Sequence, residues 1–193
     1  MKTWMTLLAL CAALTTAPAA AQERDLRHAG GVVLGVWGSI AVHEGGHALV
    51  AWAQGADEVS VRIPGPQCRW LCGSTRFELQ RLPSAHERQA MAVAGFASAN
   101  LVNEALLNDP RLVRSSGGQT FIAANLYSNV AHVLTYYTRR RGQDGYQGND
   151  IDQYELAGGS PHLLSGVLLA YSAWTLQRLH QRQVPLFFAQ AHF

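Results

Sequence analysis

The stretch from Ala29 to Ala56 constrains the fold most, because Glu44 is the only formally charged side chain among its 28 residues. A helix of this length is long enough to cross a bilayer. An ionisable residue inside such a segment is costly to place there, and it marks a candidate functional site. Because the stretch is rich in Gly and Ala rather than Leu, a buried central helix of a soluble metalloprotein is the alternative interpretation.

Glu44 belongs to the sequence His43-Glu44-Gly45-Gly46-His47, an H-E-x-x-H motif. Residues four apart lie on one face of a helix, so both imidazoles can bind a single Zn²⁺. Glu44 then lies beside a water on the ion, where it can act as a general base. The motif therefore predicts His43 and His47 as zinc ligands and Glu44 as the catalytic residue.

The N-terminal segment is typical of a secretory signal peptide. Lys2 supplies the positive end, Leu7 to Leu14 supply the apolar core, and Ala19-Ala20-Ala21 supplies a cleavage site. We predict a signal peptide over residues 1–21 and a single helical metalloprotease-like domain over residues 22–193. An uncleaved first transmembrane helix is the alternative, and both interpretations direct the chain into the export pathway.

The composition points to a large buried or lipid-facing surface. Hydrophobic residues make up 48% of the chain and charged residues 15%, against about 25% charged in ordinary soluble proteins. We therefore expect contact with membrane lipid and an integral membrane location, with a periplasmic or secreted protein as the alternative. The formal charge of +2 is small, and no basic helix is present, so no nucleic-acid partner is expected.

The remaining segments predict a mainly helical protein with one hairpin. Glu58–Ile63 and Ser74–Leu79 alternate polar and apolar residues as strands do, and Pro64-Gly65-Pro66 separates them. Ser84 and Glu87 form a capping box at the start of the next helix. The predicted fold is an apolar bundle of about four membrane-type helices, with the β-hairpin inserted after the H-E-x-x-H helix. The apolar segments are 29–56, 87–107, 119–137 and 163–179.

Cys68 and Cys72 form a C-x3-C pair near the tip of the predicted hairpin. They can form a disulfide or remain free thiols, whereas two thiolates alone are too few for a zinc site. The positive-inside rule, applied to four crossing helices, places the hairpin and Arg139 to Arg141 in the reducing compartment. That placement disfavours a disulfide, whereas a soluble exported fold favours one.

The order of the motifs resembles a known family. The run H-E-G-G-H-A-L-V-A on an apolar helix is followed by Gly55 and a hairpin, and then by A-G-F-A-S-A-N-L over 94–101 on a second helix. This resembles the site-2 protease family of membrane zinc metalloproteases, whose second helix is A-G-P-x-A-N-like. Here Phe96 replaces the usual Pro, and one extra residue precedes Asn100. The resemblance covers roughly residues 30 to 160 and implies zinc-dependent cleavage of a peptide bond.

The resemblance also implies a downstream Asp, often in an L-D-G sequence, that completes the zinc site. This chain has no L-D-G, and its candidates are Asp150 and Asp152. We predict Asp150, because it follows a Gly-rich loop and opens a probable helix, although a plain helix cap is the alternative. Glu104 is a rival third ligand, since gluzincin-type peptidases place a Glu on a following helix. A solvent-facing Glu near a helix end is its commonest alternative.

Three further polar residues lie on the apolar segment 119–137. The resemblance implies an Asn near the metal that helps to bind the substrate carbonyl, and Asn125 or Asn129 can fill that role. Hydrogen bonding between helices is the alternative for both. His132 is interpreted as a hydrogen-bonded core residue rather than a ligand.

The sequence as a whole predicts a metalloendopeptidase. Zn²⁺ is the expected cofactor, and a protein or peptide that is exported or membrane-associated is the expected substrate. A soluble exported gluzincin-type peptidase that uses Glu104 is one alternative. A non-catalytic membrane protein that retains the metal-binding fold is the other.

Overall fold

A computed structural model describes residues 19–65, 72–142, 146 and 148–185 of the protein. This part of the chain is mainly helical, with one small hairpin that follows the H-E-x-x-H helix. The coarse fold prediction is therefore confirmed. In chain order the elements are α1 (Ala19–Ala53), β1 (Ala56–Arg62), β2 (Ser74–Leu79), α2 (Ala85–Asn108), α3 (Ser116–Thr138), α4 (Asp150–Leu156) and α5 (Pro161–Gln181).

The predicted signal peptide lies largely outside the described residues. Only its last three positions, 19–21, are described, and they begin α1. Helix α1 is 35 residues long and ends at Ala53. Gly55 follows with a φ of +86°, a backbone conformation that glycine adopts without steric cost, and the chain then enters β1.

The hairpin pairs β1 with β2 in antiparallel register. Val59 faces Phe77 and Val61 faces Thr75 across the ladder. The predicted first strand, Glu58–Ile63, is shifted slightly from the observed bounds, whereas the second strand agrees with its prediction. Cys68 lies outside the described residues.

The capping box predicted for α2 is present. The backbone N–H of Glu87 donates to the Ser84 hydroxyl over 3.3 Å, and the Glu87 carboxylate accepts from the Ser84 backbone N–H over 2.8 Å. These two bonds satisfy backbone donors that have no partner inside the helix. The local sequence therefore sets where α2 begins.

Helix α1 packs closely against both α2 and α3, and small residues make this possible. A Cβ at Gly46 would lie 2.5 Å from the Ala94 carbonyl oxygen on α2. A Cβ at Gly35 would lie 2.6 Å from the Gly117 carbonyl oxygen on α3. Both distances are far below van der Waals contact, so the glycines set how near the helices approach.

Two clusters of buried apolar side chains join α4 and α5 to the helices α2 and α3. One cluster contains Leu107 of α2, Ile122 and Leu126 of α3, and Leu179 of α5. A second cluster packs residues of α2, α3, α4 and α5 directly behind the motif helix: Phe96, Val133, Ile151 and Leu168. Ile151 is fully buried, and it anchors the short helix α4 against its neighbours.

The prediction of about four membrane-type helices was wrong when the helices are judged by their length and mean hydropathy. Among the described residues, only α2 is long and apolar enough to count as a candidate span. The other long helices carry polar side chains that lower their mean hydropathy, such as Asn125 and Asn129 on α3. Large apolar side chains are nevertheless exposed along these helices, including Leu34, Leu49, Trp52, Tyr127, Leu134, Leu163 and Trp174.

Candidate metal centre

The H-E-x-x-H residues lie on the buried side of α1. His43 and Glu44 are 8% and 9% exposed, and the four-residue spacing places His47 one turn beyond His43. The two imidazole Nε2 atoms lie 3.3 Å apart. The helix period alone therefore brings these rings together, as the sequence predicts.

Asp150 reaches the same point from α4. Its Oδ2 lies 2.9 Å from the His43 Nε2 and 3.3 Å from the His47 Nε2. Burial raises the pKa of the Asp150 carboxyl, but hydrogen bonds with His43 and His47 outweigh burial and hold that pKa well below its usual range. The structure therefore brings together the three residues that the sequence predicts as metal ligands.

The start of α4 fixes the position of Asp150. Asn149 is the N-cap, and its side-chain oxygen accepts from the backbone N–H of Ile151 over 2.9 Å. Its side-chain nitrogen donates to the His132 carbonyl over 2.8 Å, which ties this turn to α3. The cap thus anchors the first turn of α4, where Asp150 lies, beside the histidines.

The donor set fits a zinc ion. Ligands about 2.0 to 2.1 Å from a tetrahedral zinc lie about 3.3 Å from one another. The three distances among His43 Nε2, His47 Nε2 and Asp150 Oδ2 run from 2.9 to 3.3 Å. Nitrogen and carboxylate oxygen are also the ligand types that zinc accepts.

Hydrogen bonding at the outer edge of His47 strengthens this fit. The His47 Nδ1 lies 2.7 Å from the carbonyl oxygen of Met91 on α2. A carbonyl can only accept, so Nδ1 donates to Met91 and Nε2 is the nitrogen that faces the centre, where a metal would bind it. Without a metal, a proton on Nε2 makes the hydrogen bond to Asp150, and a bound cation would take the place of that proton.

His132 is a fourth group at this point, although the sequence interpretation took it for a core residue rather than a ligand. Its Nε2 lies 3.6 Å from the Asp150 Oδ2, and its ring centroid lies 5.5 Å from that of His43. His43, His132 and Asp150 each offer an atom within 4.8 Å of the others. The available signal was the spacing of Asn125, Asn129 and His132, which places three polar side chains on one face of an apolar helix.

Helix α2 provides the wall of the site. A Cβ at Gly95 would lie 2.5 Å from the His47 Nε2 and 2.6 Å from the His43 Nε2, so only glycine leaves room for both rings. The next residue, Phe96, packs edge-on against His43 and His132, at centroid distances of 5.2 and 5.0 Å. The sequence G-F therefore shapes the pocket behind the imidazoles.

The hairpin contacts the predicted general base. The Thr75 hydroxyl lies 2.7 Å from the Glu44 Oε2 and 3.0 Å from the Glu44 carbonyl oxygen. A Cβ at Gly73 would clash with the Glu44 side chain. Strand β2 therefore lies directly over Glu44, a relationship that the sequence pattern did not predict.

A cavity of about 1050 Å³ opens onto the centre. His43, Glu44 and Asp150 line it on one side, and residues 73–75 of the hairpin line it on another. Phe77, Tyr127 and Ala131 add apolar surface. The space is large enough to hold a segment of peptide beside the metal ligands.

The two candidate substrate-binding asparagines differ in their surroundings. Asn125 lines the cavity, and its side-chain nitrogen donates to the Asn100 side-chain oxygen over 2.8 Å. Asn129 is fully buried, and it donates to Asn100 and to Ser172 of α5. Asn129 therefore links three helices, whereas Asn125 combines such a link with access to the cavity.

The two rival acidic ligands are engaged elsewhere. The Asp152 Oδ2 accepts from the Tyr146 hydroxyl and from the Asn149 backbone N–H, each over 2.8 Å. The Glu104 carboxylate forms a two-pronged ion pair with Arg178, at 2.5 and 2.8 Å, and it also accepts from the Tyr171 hydroxyl. Neither carboxylate is bonded to the histidines.

Cys72 is disulfide-bonded, and its partner lies outside the described residues. The positive-inside argument placed the hairpin in a reducing compartment, where such bonds are rare. The disulfide at Cys72 is therefore at odds with the reducing placement predicted for the hairpin.

Searches of protein-family models, curated proteins and solved structures find no match to this chain. The functional argument therefore depends on the geometry of the site.

Proposed function

We propose that this protein is a zinc-dependent endopeptidase in which His43, His47 and Asp150 hold the metal. The observation that carries the proposal is the convergence of these three ligand atoms within 3.3 Å of one another, beside Glu44 and a peptide-sized cavity. The likeness to site-2 proteases in sequence supports the same reaction. Asp150 is preferred to Glu104, because Glu104 is neutralised by Arg178.

In the proposed reaction, the zinc ion and the protein side chains have different roles. A zinc ion held at this site supplies the Lewis acidity that makes water nucleophilic near neutral pH and polarises a peptide carbonyl. The Glu44 carboxylate takes a proton from the attacking water and delivers it to the departing amine, so that a carboxylate and an amine are the products. Asn125, at the cavity wall, is positioned to donate to the substrate carbonyl.

The hairpin supplies a means of holding an extended substrate. In the described part of the chain, β1 and β2 pair only with each other, so each strand has an outer edge. Residues 73–75 and Phe77 of β2 line the cavity. A peptide that added to this edge as a third strand would pass the metal ligands. The strand would then hydrogen-bond the backbone of the peptide and would not depend on its side chains.

We further propose that the protein works in a membrane. Large apolar side chains are exposed on α1, α3 and α5, and this exposure supports the proposal. Helix α2 has the length and hydropathy of a span. The proposed substrate is therefore a protein at or within the membrane, and membrane lipid covers the outer faces of the helices.

The first test is zinc content of detergent-purified protein, compared with Asp150→Ala, Asp152→Ala and Glu104→Ala. We expect one zinc per chain in the wild type and its loss in Asp150→Ala alone. The two other variants are matched controls, since each also removes one carboxylate. Loss of zinc only in Glu104→Ala would favour the gluzincin alternative, and a wild type without zinc would overturn the proposal.

The second test separates catalysis from metal binding. Dye-labelled casein or a quenched-fluorescence peptide library serves as the probe, and we expect cleavage by the wild type that a chelator abolishes. Glu44→Gln should retain zinc and lose cleavage. A zinc-loaded protein that cleaves neither probe nor proteins of its own membrane would instead indicate the non-catalytic alternative.

A further inference from the structure

His132 lies too close to the proposed metal to be an ordinary core residue. Its Nε2 is 3.6 Å from the Asp150 Oδ2, and the same Oδ2 is within 3.3 Å of the two motif histidines. One carboxylate oxygen thus has three imidazole nitrogens around it. Only two of the three belong to the H-E-x-x-H motif.

The hydrogen bonding of the His132 Nδ1 determines whether its Nε2, which faces Asp150, can bind a metal. The Nδ1 lies 2.8 Å from the Ser128 carbonyl oxygen, one turn earlier on α3. The Ser128 hydroxyl, 3.3 Å from the same Nδ1, can accept from it as well. The carbonyl oxygen can only accept, so this contact assigns the proton to Nδ1 and leaves Nε2 as a lone pair. Such a nitrogen cannot donate to a developing oxyanion, but it is a suitable metal ligand.

The ring is also held in place. Phe96 packs edge-on against it at 5.0 Å, and the His43 ring lies 5.5 Å away on another side. Asn149 donates to the His132 carbonyl, which couples this turn of α3 to the turn that carries Asp150. The same polar contacts therefore position both His132 and Asp150.

We propose that His132 is a fourth protein ligand, so that the resting metal site is closed by three imidazoles and one carboxylate. The inference rests on the metal site of the proposed function and adds a regulatory property to it. Four protein ligands leave no open position for water or substrate. His132 must therefore leave the metal before the site can act, and it lines the cavity in which a substrate would lie.

Metal affinity tests the coordination directly. Competition between the protein and a chelator gives the zinc affinity of the wild type, His132→Ala and His132→Gln. We expect both variants to lose affinity by about 10- to 100-fold or more. His162→Ala is the matched control, because it removes an exposed histidine that bonds only to Tyr137 among the described residues, and its affinity should equal that of the wild type.

The visible spectrum of the cobalt-substituted protein provides a readout that does not depend on activity. We expect azide to leave the wild-type spectrum unchanged and to alter that of His132→Ala, because the variant has an open position. Added imidazole should restore the affinity of His132→Ala. Circular dichroism of the metal-free proteins checks folding, and His132→Gln serves if the alanine variant does not fold.

The outcomes separate this inference from the proposed function. A wild type that binds zinc, with unchanged affinity in folded His132 variants and a cobalt spectrum that azide alters in the wild type, would overturn the fourth ligand and leave the three-ligand site intact. A wild type that binds no metal would overturn both. Reduced affinity together with azide binding only in His132→Ala would support the closed site.

Discussion

The Thr75 hydroxyl of the hairpin donates to the carboxylate of Glu44 on α1, with Oγ1 and Oε2 2.7 Å apart. This bond joins the second strand of the hairpin to the general base of the proposed reaction. A carboxylate that must accept a proton from one direction and release it in another benefits from a fixed orientation.

We therefore expect Thr75→Val to lower kcat with little effect on zinc content. A hydrogen bond to a charged group contributes about 1.5 to 3 kcal/mol, which corresponds to about a 10- to 160-fold loss of rate. Thr75→Ser keeps the hydroxyl and should retain most of the activity. Steady-state kinetics on the peptide probe checks this, and equal rates for the valine and serine variants would show that the bond does not position Glu44.

Gly95→Ala should remove the metal. The added methyl group would lie 2.5 and 2.6 Å from the two motif imidazoles, so either ring must move. We expect zinc content to fall below half and stability to drop by about 1 to 3 kcal/mol. Gly166→Ala on α5 is the matched control, because nothing lies within 4 Å of the added atom. Full zinc occupancy in Gly95→Ala would contradict the arrangement of the rings.

Asn149 should prove to be a positioning residue. Asn149→Ala removes both the cap of α4 and the bond to the His132 carbonyl, and we expect a loss of about 1 kcal/mol in stability with weaker zinc binding. Asn149→Asp keeps the capping oxygen but loses the donor. Its stability should lie between that of the wild type and that of the alanine variant, as measured by thermal unfolding. If both variants bind zinc as the wild type does, the cap does not position Asp150.

Removal of zinc should destabilise the protein, because a metal that binds only the folded chain adds its binding free energy to the stability. At free zinc 100-fold above Kd, binding contributes about 2.7 kcal/mol, or about 5 to 10 °C in Tm for a chain of this size. Scanning calorimetry with and without a chelator measures the shift. Asp150→Asn serves as the control, and its Tm should respond much less to the chelator.

Cys72 should resist alkylation in the unfolded, unreduced protein and become reactive after reduction. Peptide mass mapping with a thiol reagent, before and after reduction, tests this. A disulfide agrees with the exported alternative, because such bonds persist in oxidising compartments. The Cys68–Cys72 pairing stays a prediction, and the mapping would identify the partner. A freely reactive Cys72 in unreduced protein would instead favour the predicted placement of the hairpin in the reducing compartment.

Local sequence determined much of this protein. The capping pair Ser84 and Glu87 set the start of α2, and alternation placed β2 at Ser74–Leu79. The four-residue spacing put His43 and His47 on one face of α1. These features depend on interactions between near neighbours in the chain, which the order of residues specifies directly.

Only the tertiary structure decided which groups surround the candidate metal centre, because the contacts that assemble it join residues far apart in sequence. Asp150 meets His43 across 107 positions, and only the packing of α4 distinguishes it from Asp152, which caps its own helix. Glu104 pairs with Arg178 on α5, a partner that no local pattern identifies. His132 and Thr75 reach the centre for the same reason: the folded chain encloses one buried point, and the groups around it come from four separate elements.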